Sequence, residues 1–253
     1  MPRVTGKTIL VTGASSGLGR SLALALSRQD NNLVVTARRR SRLESLAAEI
    51  EANGSRCTVA VADAVDPDAC QAVVDAAIAA YGRIDVAVLN AGGGQPMSMA
   101  EAPAADVLRI MRINFDTLVN FLCPVIEKMR GEGGVIAYTG SPAGYFGLPK
   151  SGPYSAAKAA GRVLMDTCRI ELAGTGIRCV SLYPGFTHTD SLNPDDVPVK
   201  GLIIDKERAV GEMLWAIERG RSHHMFPKRI KVLIAFARLL PEPLRRFFLG
   251  MAA

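Results

Sequence analysis

The chain has 253 residues and a formal net charge of +6, with 49% hydrophobic and 21% charged residues. That composition supplies a substantial core and excludes a disordered or low-complexity chain. Aromatics make up only 6%, so small aliphatic residues must fill the interior, which suits a parallel sheet covered by helices on both faces.

The charge is unevenly placed. From Arg221 onward seven basic residues (Arg221, Lys228, Arg229, Lys231, Arg238, Arg245, Arg246) stand against one acid, Glu242, leaving 23 of each sign in the rest of the chain. A neutral body lacks the basic face that a nucleic-acid partner needs. Cys57, Cys70, Cys123, Cys168 and Cys179 are scattered without metal-ligand spacing and read as buried free thiols of a reducing compartment. His223 and His224 are neighbours, and adjacent side chains rarely converge on one ion, so they read as strand-end residues and no metal is expected. No apolar leader precedes Thr8, and no run reaches the ~18 residues of a membrane span. The expected location is cytoplasmic.

In chain order, strand and helix patterns alternate. Strands are expected at 8–12, 33–36, 57–62, 84–89, 135–139 and 177–183, with a short last one at 224–226. Helices are expected at 18–28, 42–52, from Pro67, over one long stretch from about 105 to 130, and at 151–173 and 206–219. Strands separated by helices imply βαβ units and a doubly wound α/β architecture of the Rossmann type, with a mostly parallel seven-stranded sheet. The Asp-, Asn- and Pro-rich stretch 190–199 reads as a loop that could form a flap. The expected division is an oxidoreductase unit over 1–227 and a tail over 228–253.

Three motifs carry chemistry. Thr12-Gly13-Ala14-Ser15-Ser16-Gly17-Leu18-Gly19 lies between the first strand and first helix, where glycines let backbone approach a pyrophosphate and the helix start offers free N–H groups. At the end of the second strand, Ala37-Arg38 stands where an NAD site places an acid. A guanidinium there favours a 2′-phosphate, with Ser15 adding a hydroxyl. Arg39 and Arg40 read as solvated. Tyr154 and Lys158 share a helix face at i, i+4, and a nearby ammonium lowers a phenol's pKa toward the range useful for proton transfer. Ser141, after the fifth strand, sits at the carboxyl edge where open α/β sheets bind ligands.

Together with Asp63 after strand three, Leu89-Asn90-Ala91-Gly92 after strand four, Asn114, and Pro184-Gly185-Phe186-Thr187-His188-Thr189, these residues resemble the short-chain dehydrogenase/reductase family over roughly 5–227. The resemblance implies Tyr154 as general acid or base, Lys158 on the nicotinamide ribose, Ser141 orienting the carbonyl, and Asn114 holding a water linked to Lys158. It also implies contacts to NADP(H) from Gly13, Ser15, Ser16, Gly17, Leu18, Gly19 and Arg38, with Asp63 and Ala64 by the adenine. Asn90, Ala91 and Gly92 would line the cofactor, and Pro184, Gly185, Thr187 and Thr189 would lie near its carboxamide and phosphates. A homodimer or homotetramer is implied as well.

The reaction expected is NADPH-dependent reduction of a ketone on a lipophilic small molecule: a 3-keto lipid, a sphingoid-base ketone or a steroid. A non-catalytic NADP(H) sensor and an NAD-linked alcohol dehydrogenase are the competing readings. In the tail, Ile230, Leu233, Ala237, Leu240, Leu244 and Phe247 recur at helical spacing, with Pro241 and Pro243 breaking it into two short helices. Such a basic amphipathic segment fits the inner surface of an anionic membrane, or packs on its own domain or on a partner subunit.

Overall fold

The computed structural model describes residues 4–94, 96–188 and 203–250. Among them the first half runs β1 (Thr8–Thr12), α1 (Gly17–Ser27), β2 (Asn32–Ala37), α2 (Arg40–Ala52), β3 (Arg56–Val61), α3 (Pro67–Tyr81) and β4 (Val86–Leu89). The second half runs α4 (Ala104–Met111), α5 (Thr117–Met129), β5 (Gly134–Thr139), α6 (Gly152–Glu171), β6 (Ile177–Pro184), α7 (Lys206–Glu218), β7 (His223–Phe226), α8 (Lys228–Leu239) and α9 (Glu242–Gly250). The seven strands form one sheet in the order β3-β2-β1-β4-β5-β6-β7. Every pairing is parallel, from β1 on β2 (Thr8 opposite Asn32) to β6 on β7 (Ser181 opposite His223). The sheet is Rossmann-like and fully parallel where a mostly parallel one was expected.

Each central strand feeds two cores. In β1, Ile9 and Val11 enter one apolar cluster with Leu22, Leu46 and Met213, while Leu10 enters the other with Val74, Phe121 and Met165. In β2, Leu33 and Val35 go to the first and Val34 to the second. Period-two alternation therefore separates two apolar faces rather than an apolar and a polar one, and the strands read as unbroken hydrophobic runs.

The long helix expected at 105–130 is interrupted by a π-helical turn over Arg112–Asp116, with Asn114 buried at its centre. A π-turn inserts an extra residue into the helix and re-aims the side chains on it, frequently at functional sites. The tail forms α8 and α9, separated at Leu240 and Pro241, as its prolines predict. Ile230 and Ala237 of α8 are buried, and the helix follows the short strand β7. Of the five free thiols, Cys70, Cys168 and Cys179 are buried, Cys57 is partly so, and Cys123 on α5 is exposed; that last residue departs from the expected pattern. His223 faces Asp166, and His224 bonds Glu212 at 2.8 Å on the opposite face of β7. Thr189 and the flap expected at 190–199 lie outside the described residues.

The N-termini of α1 and α3 differ. At α3, Asp66 accepts hydrogen bonds from the backbone N–H groups of Asp68 and Ala69 at 3.0 and 3.1 Å, with Pro67 in the first turn. At α1 no side chain caps the first turn, and no acid lies in it, so its N–H groups stay available to an anion. Replacing Asp66 with Ala removes the α3 cap at a cost of about 1 kcal/mol. A thermal melt should show a Tm lower by about 2–4 °C, whereas Ser16→Ala should leave stability nearly unchanged.

Candidate active site

The sheet reverses direction of winding between β1 and β4, and the loops leaving those strands diverge to open a crevice at the carboxyl edge. One hydroxyl joins them. Thr12 Oγ1 accepts from the backbone N–H of Asn90 at 2.9 Å and of Ala91 at 3.0 Å, and donates to the Val88 carbonyl at 3.4 Å. The loops are held so closely that a Cβ on Gly19 would stand 2.5 Å from the Gly13 carbonyl oxygen and 2.6 Å from Asn90 Nδ2. Only glycine fits there. Ser15, Ser16, Gly17 and Leu18 complete the turn into α1, whose uncapped N-terminus faces outward from it.

At the end of β2, Arg38 is largely exposed and its Nη1 lies 3.9 Å from Asp63 Oδ2. Arg39, expected in solvent, instead reaches the glycine loop. Its Nη2 donates to Ser15 Oγ at 2.8 Å and Ser16 Oγ at 2.7 Å, and its Nε donates to Ser15 Oγ at 3.1 Å. The reason is local: Arg39 precedes the first residue of α2, with extended backbone, so its side chain projects back over the loop. Arg42 and Lys206 join Ser15 and Ser16 around an adjacent cleft of about 390 Å³. The run Arg38-Arg39-Arg40-Ser41-Arg42 was visible in the sequence; which of its members turns toward the loop was not.

Asp63 and Ala64 sit past β3. The Ala64 carbonyl accepts from Asn120 Nδ2 of α5 at 3.1 Å, a support the motif reading missed. Thr117 is another: its Oγ1 donates to the Ala91 carbonyl at 3.4 Å. Asn114 is fully engaged. Its Oδ1 accepts from the Gly93 N–H at 3.1 Å, and its Nδ2 donates to the Gly93 and Ile110 carbonyls. The side chain therefore clamps the Gly92–Gly94 stretch to the π-turn. Gly92 has φ +154°, and a Cβ there would meet Asn114 Oδ1 at 2.8 Å.

Ser141, Tyr154 and Lys158 converge. Ser141 follows β5, and its hydroxyl accepts from the Ala143 N–H at 3.2 Å beside the Tyr154 phenol, whose pKa it lowers. Gly94 lies on the Tyr154 ring, so closely that a Cβ would stand 3.2 Å from it. Lys158 is buried; its Nζ donates to the Thr139 carbonyl at 3.1 Å and stands 5.7 Å from the Tyr154 ring centroid. One of three ammonium protons is thus bonded among the described residues, and two remain to meet acceptors such as the hydroxyls of a ribose.

The electrostatics differ from the sequence expectation. Tyr154 retains some exposed surface, yet its phenol lies deep among protein atoms. That burial raises its pKa, and the Ser141 hydrogen bond opposes the rise. Burial also lowers the Lys158 pKa to about 8. With the ammonium over the ring face and turned to a carbonyl, the protein alone does not hold the phenol low.

Pro184 ends β6. Gly185 N–H bonds the Phe226 carbonyl at 2.8 Å, and Thr187 Oγ1 donates to the Gly185 carbonyl at 3.2 Å. His188 and Phe186 pair with Ile204, whose own N–H bonds the Phe186 carbonyl at 3.0 Å. Among the described residues no group of three or more His, Cys, Asp and Glu is placed to hold a metal ion.

Residues 7–197 match the family model described as short chain dehydrogenase. The chain is a short-chain dehydrogenase/reductase. It is 34% identical over 248 residues to an uncharacterized oxidoreductase of Myxococcus xanthus, covering 96% of each chain. It is 32% identical to the 11-beta-hydroxysteroid dehydrogenase-like 4A protein of Arabidopsis thaliana, covering 95% of this chain and 83% of that one. The crystal structure of a short-chain type dehydrogenase/reductase from Mycobacterium marinum superposes with a TM-score of 0.81 at 28% identity, over 88% of this chain and 94% of that one. This short-chain dehydrogenase is accordingly an oxidoreductase of CH–OH and C=O groups that uses a nicotinamide cofactor and a small-molecule substrate.

The depressed Lys158 pKa has a sign that can be tested without substrate. Between about pH 8 and its unfolded value of 10.5, the unfolded chain holds a proton that the folded chain has released, so stability rises with pH. In the cofactor-free protein, urea midpoints of wild type relative to Lys158→Met should be flat below about pH 7 and climb from pH 8 toward pH 10. A constant difference between the two would show that Lys158 keeps its ordinary pKa.

Proposed function

We propose that the protein reduces a ketone to a secondary alcohol with NADPH, acting on a lipophilic substrate such as a steroid, a 3-keto lipid or a sphingoid-base ketone. The observation that carries the reading is the convergence of Ser141, Tyr154 and a buried Lys158, whose Nζ is held by the Thr139 carbonyl, at the sheet edge beside a glycine-lined crevice.

A nicotinamide held in the crevice would supply the hydride that the carbonyl carbon takes up. Ser141 donates to the carbonyl oxygen and fixes it against Tyr154, stabilising the negative charge that develops there. The Tyr154 phenol gives its proton to that oxygen. Lys158, held at 3.1 Å by the Thr139 carbonyl, would hold a cofactor ribose with its remaining N–H groups, and its charge would then stabilise the phenolate and lower the phenol's pKa. An ammonium whose pKa burial brings to about 8 is also suited to return a proton near neutrality. Asn114 acts as a positioning residue through the Gly93 loop. The presence of all four residues speaks against a non-catalytic sensor.

Arg38 and Arg39 flank the place of the adenine ribose and support NADP(H) over NAD(H), as guanidinium pairs with phosphate in bidentate fashion. Gly13, Ser15, Ser16, Gly17, Leu18 and Gly19 would hold the pyrophosphate and ribose. Asp63 and Ala64 would border the adenine. Asn90, Ala91 and Gly92 would border the nicotinamide half, with Pro184, Gly185 and Thr187. The hydroxysteroid dehydrogenase-like relative and the apolar tail support a lipophilic substrate. Exposed Leu108 on α4, and Val163 and Ile170 on α6, support self-association into a dimer or tetramer. We place the protein in the cytoplasm, with the tail at the inner membrane surface, since its thiols are free and its charge excess lies in α8, α9 and the approach to them.

Tyr154→Phe should bind NADPH normally in a fluorescence titration yet lose turnover by about 10²–10⁴-fold; retained turnover would refute the assignment. Removing either Arg38 or Arg39 should raise the Kd for NADPH by about tenfold or more and leave that for NADH little changed. Equal losses for both cofactors would show that no 2′-phosphate is recognised there.

A further inference from the structure

The loop that begins at Ser141 continues past the active site and meets the tail. Tyr145, Phe146, Leu148 and Pro149 form one wall of an open cleft of about 700 Å³, and Arg238 of α8 with Arg245 and Arg246 of α9 form the other. Glu242 is the one carboxylate among the described residues of the lining. Among the described residues none of the three guanidiniums has a carboxylate partner. Arg238 lies 6.0 Å from the Tyr145 ring centroid, which orients it without neutralising it. Three cations converging on one cleft against a single acid call for an anion of more than one negative oxygen.

The same two helices leave apolar surface uncovered. Val232, Phe236 and Leu239 follow at i, i+4 and i+7 on the face of α8 turned away from buried Ile230 and Ala237, with Leu239 84% exposed. Leu244 and Phe247 extend that surface onto α9, with Phe247 73% exposed. The Phe236 and Phe248 rings meet edge-on at 6.1 Å and tie the helices together. A soluble monomer seldom leaves such residues clustered beside unpaired cations. An interfacial helix pair does, presenting the cations to headgroups and the apolar side chains to acyl chains.

We propose that the Arg238–Arg245–Arg246 cleft binds the phosphate of an anionic phospholipid headgroup, while Val232, Phe236, Leu239, Leu244 and Phe247 enter the acyl boundary. This rests on the peripheral-membrane reading above and gives it a defined site. Its consequence is positional: the cleft shares a loop with Ser141, so a lipid held there sets the substrate-binding side of the enzyme against the bilayer.

Flotation of the full chain with phosphatidylcholine vesicles, with and without phosphatidylglycerol, tests it. Wild type should float only with the anionic vesicles. The triple variant R238Q/R245Q/R246Q should bind them on the order of a hundredfold more weakly, while NADPH turnover of a water-soluble ketone and the Tm stay unchanged. F236S/F247S should also lose binding, and 10 mM inorganic phosphate (about a hundredfold excess over accessible headgroups) should displace little of the wild type. Binding that survives the triple substitution overturns the cleft and leaves the membrane reading standing. Failure of wild type to float overturns both. Displacement by inorganic phosphate makes the site one for a soluble phosphate, and a smaller mass for F236S/F247S in light scattering makes the apolar surface a contact between copies of the chain. Either result overturns the proposal. None of these outcomes depends on Tyr154, whose own variant tests the reductase chemistry separately.

Discussion

The approach of two backbone loops at the centre of the sheet governs what this molecule can do. Thr12 holds the Asn90–Ala91 peptide groups across the gap between β1 and β4 with a single oxygen that serves three hydrogen bonds. β1 and β4 send their chains to opposite faces, and this hydroxyl, with the close approach of Asn90 to Gly13 and Gly19, ties the two departing loops together. The glycines on either side follow from it: a larger residue at 19 would force Gly13 or Asn90 away. The start of α1 is left uncapped, so its N–H groups remain open to the pyrophosphate that the proposed function would place there.

The second centre sits one strand away and works by burial. Lys158 is an ammonium with one protein acceptor in a nearly closed site, and the fold bears the cost of its desolvation. Tyr154 bears the opposite distortion, with its phenol pushed up. Left to the protein, the two groups lie on the wrong sides of one another for efficient proton transfer. An occupant that satisfies the free N–H groups of Lys158 keeps the ammonium charged, and a charged ammonium pulls the phenol back down. On the proposed mechanism, occupancy of the cofactor site would thereby govern the proton chemistry.

Much of this was legible in the sequence because it depends on local pattern. Short apolar runs, closed by residues such as Gly13, Arg38, Asp63, Asn90 and Gly140, marked the strands, and the i, i+4 spacing of Tyr154 and Lys158 put them on one face of α6. Prolines 241 and 243 divided the tail. What escaped was set by three-dimensional detail. The π-turn at Asn114 has no composition of its own, since Arg112–Asp116 reads as ordinary helix. The choice of Arg39 over solvent depends on backbone direction at the start of α2, where one residue of rotation decides which guanidinium meets Ser15. The direction of the Tyr154 shift depends on burial depth, which a motif does not carry. Cys123 lies on the exposed side of α5 although its neighbours Leu122 and Val125 are core residues.

The strand order also has a price in assembly. β1 pairs with β2 within a short stretch of chain but must wait for β4 to cover its other edge. At about 5–20 residues per second on the ribosome, the roughly 50 residues from the end of β2 to the start of β4 take several seconds to appear. During that interval the Ile9–Val11 backbone presents unpaired hydrogen-bonding groups and bare aliphatic side chains to the cell. The nascent βαβ unit therefore stays open on one edge until β4 emerges, and the N-terminal third of the chain waits longest for its complete set of strand partners.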